Sequence, residues 1–325
     1  MRCRLNRLRW IAIVWMQGAL ITACSSRPTT LDDAAPPVTC RWHTMSSGTT
    51  EDLWAIWGSG PGDVFVVGTI GTVLHFDGGA WSPMTGPPKR IASLWGSGPA
   101  NVYGVAYSAG DNVFRCDGNA WTVAHSGPHG LLAIWGSSPD DVYAVGSSGT
   151  IVHFARGQWH EVSAHDSSGI RTGVWGSGPN NVYIVGRYGT VTHYNGSAWK
   201  RMNPGVTGDS FQGVTGLGPK QIYVLATATV GPEQQWYLLQ HDGAQWHRVD
   251  LPPAHRQSAV QSMGTWGREL VLGLDAGLLL LYDGQTWREE KTGAALSLRG
   301  IWSPGPDEIF VTGDKGTILH YYCPS

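Results

Sequence analysis

Short runs of alternating apolar and polar residues follow one another along most of this chain, and turn-forming glycine, proline, serine and aspartate separate them. The segment from Leu53 to Trp81, LWAIWGSGPGDVFVVGTIGTVLHFDGGAW, shows the pattern most clearly. Alternation over roughly four to eight positions indicates β-strands, whereas a helix would place apolar residues three or four positions apart. The segment lacks that helical spacing, so we predict an all-β protein.

The same segment recurs seven times at a spacing of about forty residues. In the third repeat we predict strands at Leu131–Trp135, Val142–Gly146 and Thr150–Phe154, and a fourth strand that begins at Trp159. Four strands at this repeat length are typical of a β-propeller blade. The sequence therefore predicts a seven-bladed β-propeller with four-stranded blades, formed as one domain by residues 38–325.

Two columns of tryptophan mark equivalent positions in the repeats and contain 13 of the 17 tryptophans. The first-strand column is Trp57, Trp95, Trp135, Trp175, Thr215, Trp266 and Trp302, and the fourth-strand column is Trp42, Trp81, Trp121, Trp159, Trp199, Trp246 and Trp287. First strands also carry a column of small residues, expected near the ring axis: Ala55, Ser93, Ala133, Gly173, Gly213, Gly264 and Gly300. The position before it is variable: Trp54, Ala92, Leu132, Thr172, Gln212, Met263 and Arg299.

The two ends of the repeat region predict how the ring closes. Trp42 is a fourth-strand tryptophan with no blade before it, and the last repeat, Leu298 to Tyr322, stops after its third strand. We therefore expect the N-terminal strand to complete the last blade and close the ring. Cys40 and Cys323 align with two glycines of a turn in the other repeats. A disulfide would replace that turn, and two free thiols are the alternative.

The first 23 residues have the composition of a secretory signal peptide. Four arginines precede an apolar run, Trp10 to Ala23, that is too short to span a bilayer. The run leads into LITACS, which resembles the bacterial lipobox. This resemblance implies cleavage before Cys24 and lipid attachment to its thiol, and ordinary secretion is the alternative. Residues 24–37 would then be the lipid anchor and a flexible tether rich in proline, serine and threonine.

The lipoprotein resemblance also implies a place in the cell. Ser25 follows Cys24 and is not the aspartate that often retains lipoproteins at an inner membrane. We therefore expect the bacterial cell envelope, the outer membrane in preference to the inner, with the ring periplasmic or surface-exposed. An exported protein also favours the disulfide between Cys40 and Cys323.

Charge argues against one class of partner. Removal of the leader takes Lys and Arg from 22 to 18 against 24 Asp and Glu, so the formal charge falls from −2 to −6. Nucleic-acid binders normally carry a basic stripe, so we expect no nucleic-acid partner. Cys116 stands in a third strand where other repeats have phenylalanine, which predicts a buried free thiol.

A second repeated motif, Asp-Gly-x-x-Trp, follows the third strand. It begins at Asp77, Asp117, Asp242 and Asp283, while Asn195 and Ala155 replace the aspartate in the fourth and third repeats. We expect the carboxylate to accept backbone hydrogen bonds in the turn, and the tryptophan to fill the gap between blades. The motif resembles the Asp-box, or BNR, repeat of sialidase-like propellers and, more loosely, photosystem II assembly factor-like propellers. Their pattern is Ser-x-Asp-x-Gly-x-x-Trp, whereas here glycine follows aspartate directly.

Histidine recurs in the third strand, at His75, His153, His193 and His320. Equivalent positions of neighbouring blades lie on the order of 10 Å apart, whereas zinc holds its nitrogen ligands at about 2.0 to 2.1 Å. We therefore expect no shared metal site and no cofactor, and we interpret these histidines as bonded to an adjacent strand.

Candidate binding residues lie where the repeats differ. The loops between second and third strands and the connections between blades share one face, and variation concentrates there. Aromatic and basic residues on that face suit a protein's anchor residues or a sugar. The candidate site residues are Trp54, Tyr107, Arg187, Tyr188, Trp236 and Arg299. For Trp54 and Trp236, simple packing is an equal alternative.

Three classes of function remain. The first is a lipid-anchored, monomeric envelope scaffold that binds a protein partner through the variable loops. The second is a lectin-like propeller that binds carbohydrate. The third, implied by the Asp-box resemblance, is a glycosidase or lyase, which would need paired carboxylates or an equivalent acid and nucleophile. Most acidic residues belong to repeated turns, so we expect a binding protein without catalytic residues.

Overall fold

The computed structural model describes residues 39–69, 71–163 and 169–323. The proposed signal peptide, the lipid site at Cys24 and the tether lie outside this range. Within it, no helix has the length and apolar character needed to cross a membrane.

The described residues contain 28 strands, which we number β1 to β28 in chain order. The first is β1 (Arg41–Met45). Blade 1 is β2 (Leu53–Gly60), β3 (Asp63–Gly68), β4 (Thr72–Phe76) and β5 (Trp81–Thr85); blade 2 is β6 (Ile91–Gly98), β7 (Asn101–Ala106), β8 (Gly110–Cys116) and β9 (Trp121–Gly127); blade 3 is β10 (Leu131–Ser138), β11 (Asp141–Gly146), β12 (Ile151–Ala155) and β13 (Gln158–Glu161).

The remaining strands build four more blades. Blade 4 is β14 (Arg171–Gly178), β15 (Asn181–Gly186), β16 (Thr190–Tyr194) and β17 (Trp199–Met202); blade 5 is β18 (Ser210–Gly218), β19 (Gln221–Val230), β20 (Glu233–His241) and β21 (Trp246–Asp250); blade 6 is β22 (Val260–Trp266), β23 (Glu269–Leu274), β24 (Leu278–Tyr282) and β25 (Trp287–Lys291); blade 7 is β26 (Leu298–Gly305), β27 (Glu308–Gly313), β28 (Ile318–Tyr322) and β1. Short 3-10 turns occur at Ser147–Gly149, Pro253–His255, Asp275–Gly277 and Asp314–Gly316.

Each blade is one four-stranded antiparallel sheet, which confirms the predicted seven-bladed propeller. The second strands are almost wholly buried, as in Val64 to Gly68 of β3. They lie between two strands of their own sheet, and both of their faces pack against neighbouring blades, so a continuous apolar run replaces alternation. Hydrophobic clusters accordingly combine two blades, such as Phe65 and Val67 with Ile91 and Leu94. The core is therefore a series of layers between blades.

The first-strand tryptophans pack on glycines of the next blade. A Cβ built on Gly96 would lie 2.6 Å from the Trp57 ring, so the ring lies directly on the Gly96 backbone. The same contact joins Trp95 to Gly136, Trp135 to Gly176, Trp175 to Gly216 and Trp302 to Gly58. Blade 5 has Thr215 at the tryptophan position, and the residue of blade 6 at the position of the receiving glycine is Thr265. The tryptophan and the glycine of the next blade therefore occur together.

Blade 6 corrects part of the column alignment. In blade 1 Ala55 pairs with Val67, and the equivalent pair in blade 6 is Ser262 with Gly273. The small residue of that blade is therefore Ser262 and not Gly264, and the variable position before it is Gln261 and not Met263. The cause is that β22 lacks the bulge that β2 has between Gly58 and Gly60, so Gly264 and not Trp266 stands at the first-strand tryptophan position. The Trp266 ring instead packs against Trp42 and Tyr321 of blade 7, with centroids 6.3 and 5.0 Å apart.

The fourth-strand tryptophans fill the gaps between blades, as predicted. The ring of Trp199 in blade 4 meets Tyr143 of blade 3 edge-on, with centroids 5.7 Å apart. The indole Nε1 of Trp42 in blade 7 donates to the Glu290 carboxylate of blade 6 at 2.9 Å. Cys116 is a buried free thiol, which also confirms the sequence prediction.

The N-terminal strand completes blade 7, because β1 pairs antiparallel with β28 from Arg41↔Tyr322 to Met45↔Ile318. Cys40 and Cys323 form a disulfide at the open end of this hairpin, and their Cα atoms are 4.0 Å apart. The bond joins residues 283 positions apart. The chain-entropy model assigns such a loop roughly 5 kcal/mol, an upper bound for a strand that is already paired. Both the closure strand and the disulfide were predicted from the sequence.

The aspartate of the Asp-Gly-x-x-Trp motif organises its turn as predicted. Asp77 Oδ1 accepts hydrogen bonds from the backbone N–H groups of Gly79 and Ala80, both at 2.9 Å. The Asn195 amide oxygen accepts the equivalent bonds in blade 4. The bonds from Ala80 and then Gly79 lower the pKa of Asp77, because they stabilise its ionised form. The pKa values of Asp117, Asp242 and Asp283 are lowered for the same first cause, backbone hydrogen bonds.

The contact between tryptophan and glycine predicts that alanine lowers stability at Gly96 but not at Gly98. We expect Gly96→Ala to lower the free energy of unfolding by about 1–3 kcal/mol, because the new methyl group overlaps the rigid ring of Trp57. Gly98→Ala is the matched control, since nothing lies within 4 Å of its Cβ position. Urea denaturation of both variants measures the effect. Equal stabilities would contradict the packing described, and Trp57→Phe should recover part of the loss in Gly96→Ala.

The turn aspartates predict part of the acid sensitivity. Their folded-state pKa values lie below those of the unfolded chain, so their contribution to stability is present above the unfolded pKa and is lost as pH falls through the folded one. Asn keeps the acceptor oxygen but does not titrate. We expect the combined change Asp77→Asn, Asp117→Asn and Asp283→Asn to flatten the fall in urea midpoint between about pH 5 and pH 2. Asn195→Asp should steepen it, and unchanged slopes in both variants would contradict the assignment.

Candidate functional site

The antiparallel order of the strands divides the loops between two faces. Connections between second and third strands, and between successive blades, lie on what we call the variable face. The turns between first and second strands, and between third and fourth strands, lie on the opposite turn face. The six candidate residues belong to loops or strand ends of the variable face.

Trp54 lies at the start of β2 and is half-buried between two arginines. The guanidinium carbon of Arg90 is 4.0 Å from the centroid of the Trp54 ring, and that of Arg299 is 4.1 Å from it. Arg90 precedes blade 2 and Arg299 belongs to blade 7, the two blades that flank blade 1, so Trp54 lies between cations from both neighbours. Each cation is attracted by the ring quadrupole. Trp54 is therefore a positioned part of the site that already stacks with two guanidinium groups.

Arg299 is held from its other side. Its Nε donates to the Asp314 carboxylate, and its Nη1 lies 3.4 Å from Oε1 of Gln261. Both side chains of the ion pair are about four-fifths buried, with exposures of 19% and 20%. The carboxylate therefore balances the charge of Arg299. Arg90, the second cation on Trp54, comes from the connection between blades 1 and 2.

A pocket of about 350 Å³ opens beside Arg90, and we call it the side pocket. It is lined by Pro88, Lys89, Arg90, Ala92, Tyr107, Ser108 and Leu132. The Lys89 ammonium donates to the backbone carbonyls of Ala109 and Asp111, at 3.1 and 2.7 Å, and so joins the connection before blade 2 to the loop within it. Tyr107 is 54% exposed at the edge of the pocket. The side pocket has an apolar floor and a basic, aromatic mouth.

A second cavity of about 400 Å³ lies near the ring axis, and we call it the axial cavity. First-strand residues of blades 2 to 6 line it, including Thr172, Gln212 and Gln261. Ala92 and Leu132 line both this cavity and the side pocket, so the two adjoin. Trp236 also lines the axial cavity, while the rest of its ring packs on the core between blades 5 and 6.

The structure brings four of the six candidates to this region. Trp54 and Arg299 touch, Tyr107 lines the side pocket, and Trp236 lines the axial cavity. Arg187 and Tyr188 lie on the loop of blade 4, exposed, and line neither cavity. Tyr188 is 71% exposed and has a positive φ of 61°. Sequence reasoning missed Lys89 and Arg90, although their place in a connection between blades could have pointed to them.

The third-strand histidines are structural, as the sequence indicated. His75 Nε2 lies 2.7 Å from the Asp63 carboxylate on the neighbouring strand, and its ring stacks on Phe65 with centroids 4.4 Å apart. His320 bonds Glu308 in the same way at 2.6 Å. Burial lowers the pKa of His193, whose partner is the neutral Asn181. Among the described residues, no group of three or more His, Cys, Asp or Glu side chains could hold a metal ion.

Comparisons with known proteins support the fold. No family model matches the chain, and no curated protein matches it. YCF48 from Cyanidioschyzon merolae is 18% identical with a TM-score of 0.68, over 87% of this chain and 98% of YCF48. A structure of YCF48 bound to D1 peptide is also 18% identical with a TM-score of 0.68, over 90% of this chain and all (100%) of that one. The WD40 β-propeller domain of Doa1 is 10% identical with a TM-score of 0.67, over 87% and 97%. At these identities the likeness shows a shared propeller fold.

Proposed function

We propose that this protein is a monomeric, lipid-anchored propeller of the bacterial envelope that binds a segment of a protein partner on its variable face. The observation that carries the proposal is the side pocket next to the axial cavity, with Tyr107 exposed at its edge. A tyrosine beside a pocket is typical of a binding hot spot. YCF48, which shares the fold, has been solved with a bound peptide.

The chemistry of the side pocket favours a peptide over a sugar. Its floor is made by apolar Pro88, Ala92 and Leu132, which suit an apolar side chain. Lys89 and Arg90 add positive charge at the mouth, which suits an acidic residue next to that side chain. Trp54, the aromatic that first suggested sugar stacking, is already in contact with two arginines. We therefore propose binding, and not catalysis, as the role of this face.

The described ring begins at the turn face, because Cys40 stands at the end of the β28–β1 hairpin. A lipid anchor at Cys24 would lie 16 residues before Cys40, a stretch that spans up to about 55 Å when extended. Cys40 therefore lies on the face opposite the side pocket. We propose that the anchor holds the protein at the outer membrane and leaves the variable face accessible to a partner.

The partner proposal is tested by affinity capture from envelope extracts. We expect Tyr107→Ala to reduce the captured partner about tenfold, because such an anchor contributes more than about 1.4 kcal/mol. Val123→Ala is the matched control, since Val123 is 50% exposed in the same blade but lies on the outer strand β9. Peptides of the captured protein then show whether an acidic residue beside an apolar one is required. Equal capture by wild type and Tyr107→Ala would contradict the proposed site.

The anchor is tested separately by metabolic labelling with an alkyne fatty acid. We expect the wild-type chain to incorporate the label and to fractionate with outer membranes, because acyl chains contribute about 0.8 kcal/mol per buried methylene. Cys24→Ser should remove the label, whereas Cys3→Ser should still give labelled mature protein. A labelled Cys24→Ser protein, or an unlabelled wild type, would show that Cys24 is not the lipid site.

A further inference from the structure

A cavity of about 860 Å³ opens on the turn face between blades 2 and 3, away from the side pocket, and we call it the blade 2–3 groove. Blade 2 contributes Asn101, Arg115 and His125 to its lining. Blade 3 contributes Asp140, Gln158 and Trp159. The equivalent groove between blades 7 and 1 has a volume of about 480 Å³. The blade 2–3 groove is therefore the larger of these two equivalent grooves.

One cause is the side chain that follows each fourth-strand tryptophan by three positions. Met45 holds this position in the groove between blades 7 and 1, whereas Ala124 holds it here. The smaller side chain leaves space next to Trp159. A register shift between β8 and β9 also occurs at this point, where Val113 pairs with His125. His125 is therefore placed in the groove wall.

A second difference is the turn between the third and fourth strands of blade 3, which lacks the aspartate and glycine of the motif. In the other blades a glycine lies against a neighbouring turn, so that a Cβ on Gly196 would be 2.9 Å from Asn180. Blade 3 has Arg156 at this position, with a positive φ of 52°. Ala155 pairs with Gln158 across a two-residue turn. Arg156 therefore places a Cβ where the other turns have none, and residues of this turn and of the Pro139–Asp140 turn line the open groove.

The walls combine aromatic surface with planar polar groups. Phe154 and Trp159 are half-buried and line the cavity with ring centroids 5.4 Å apart. Arg115 is fixed by a hydrogen bond from its Nε to Asn101 Oδ1 at 2.7 Å, and a guanidinium has five N–H donors. Asp140 and Gln158 supply acceptors and a further amide. Pockets with aromatic walls and a few convergent polar groups are the usual form of a small-molecule site.

The charges of the groove decide the type of ligand. Arg115 is its cation and Asp140 its carboxylate, and burial lowers the pKa of His125, which favours the neutral form of its ring. The lining is therefore balanced, which disfavours an acidic or a basic ligand. A sugar presents hydroxyl groups that both donate and accept hydrogen bonds, and an apolar ring face that packs on aromatics. We propose that the blade 2–3 groove binds a neutral saccharide.

The test is titration calorimetry of the intact protein with maltose, cellobiose, lactose and di-N-acetylchitobiose. We expect at least one of them to bind with a Kd below about 10 mM. Gln158→Ala and Asp140→Ala should each weaken that affinity about tenfold, through loss of a hydrogen bond to the ligand. Gln245→Ala is the matched control, because Gln245 precedes Trp246 as Gln158 precedes Trp159 but follows an intact aspartate turn.

Three results would overturn the proposal. They are a Kd above about 10 mM for all four sugars, equal affinities for the Gln158→Ala and Gln245→Ala variants, and tighter binding of an acidic sugar such as glucuronic acid. Thermal unfolding of each variant shows that a loss of binding is not a loss of fold. Tyr107→Ala should bind the sugar normally, so a failure here is distinguishable from a failure of the partner site on the variable face.

Discussion

The propeller depends on one contact, the packing of an indole on a glycine of the next blade. A Cβ on the receiving glycine would lie only 2.5 or 2.6 Å from the indole in each of the five instances. Neighbouring blades can therefore approach closely only where one blade has a tryptophan and the next blade has a glycine at the contact. Two junctions depart from this pairing, those that follow blades 5 and 6, where Thr215 and Gly264 stand in place of the ring. Blade 6 compensates by sending Trp266 outward onto Trp42 and Tyr321 of the closing blade.

Radial packing alone leaves a ring with two chain ends, and a second constraint fixes the last junction. The closing sheet takes β1 from one end of the chain and three strands from the other, and the disulfide between Cys40 and Cys323 joins the pair where every other blade has a turn. Unfolding of blade 7 therefore has to release both ends of the chain at once. The remaining blades have no such link and rely on turn chemistry. This explains why a carboxylate that bonds backbone amides recurs in the turns of blades 1, 2, 5 and 6.

Periodicity made the architecture predictable. Alternating strands, turn residues and the incomplete first and last repeats specify blade number, strand number and the partner of β1, because each of these depends on local pattern alone. The contact of Trp57 with Gly96 was not predictable in the same way, since both residues look like independent features of a repeat until the blades are placed side by side. Blade 6 misled the alignment because its first strand lacks the one-residue bulge before the turn, and its tryptophan stands beside the turn and not at the position of Trp57. Lys89 and Arg90 were missed because connections between blades have no repeat with which to compare them.

The two candidate sites follow from where the repeat fails. In a propeller the repeated residues form the packing between blades and the turns, so they are the same in every blade. Specific recognition therefore depends on positions that differ between blades. On the variable face these are the connection before blade 2 and the loop within it, which together form the side pocket. On the turn face they are Ala124, which is small and lines the groove, and Arg156, which replaces the glycine of a turn that borders it. Blade 2 contributes Tyr107 to the site on the variable face and Arg115 to the site on the turn face. Substitutions of these two residues therefore affect separate surfaces of the protein, and neither site requires the blades to move.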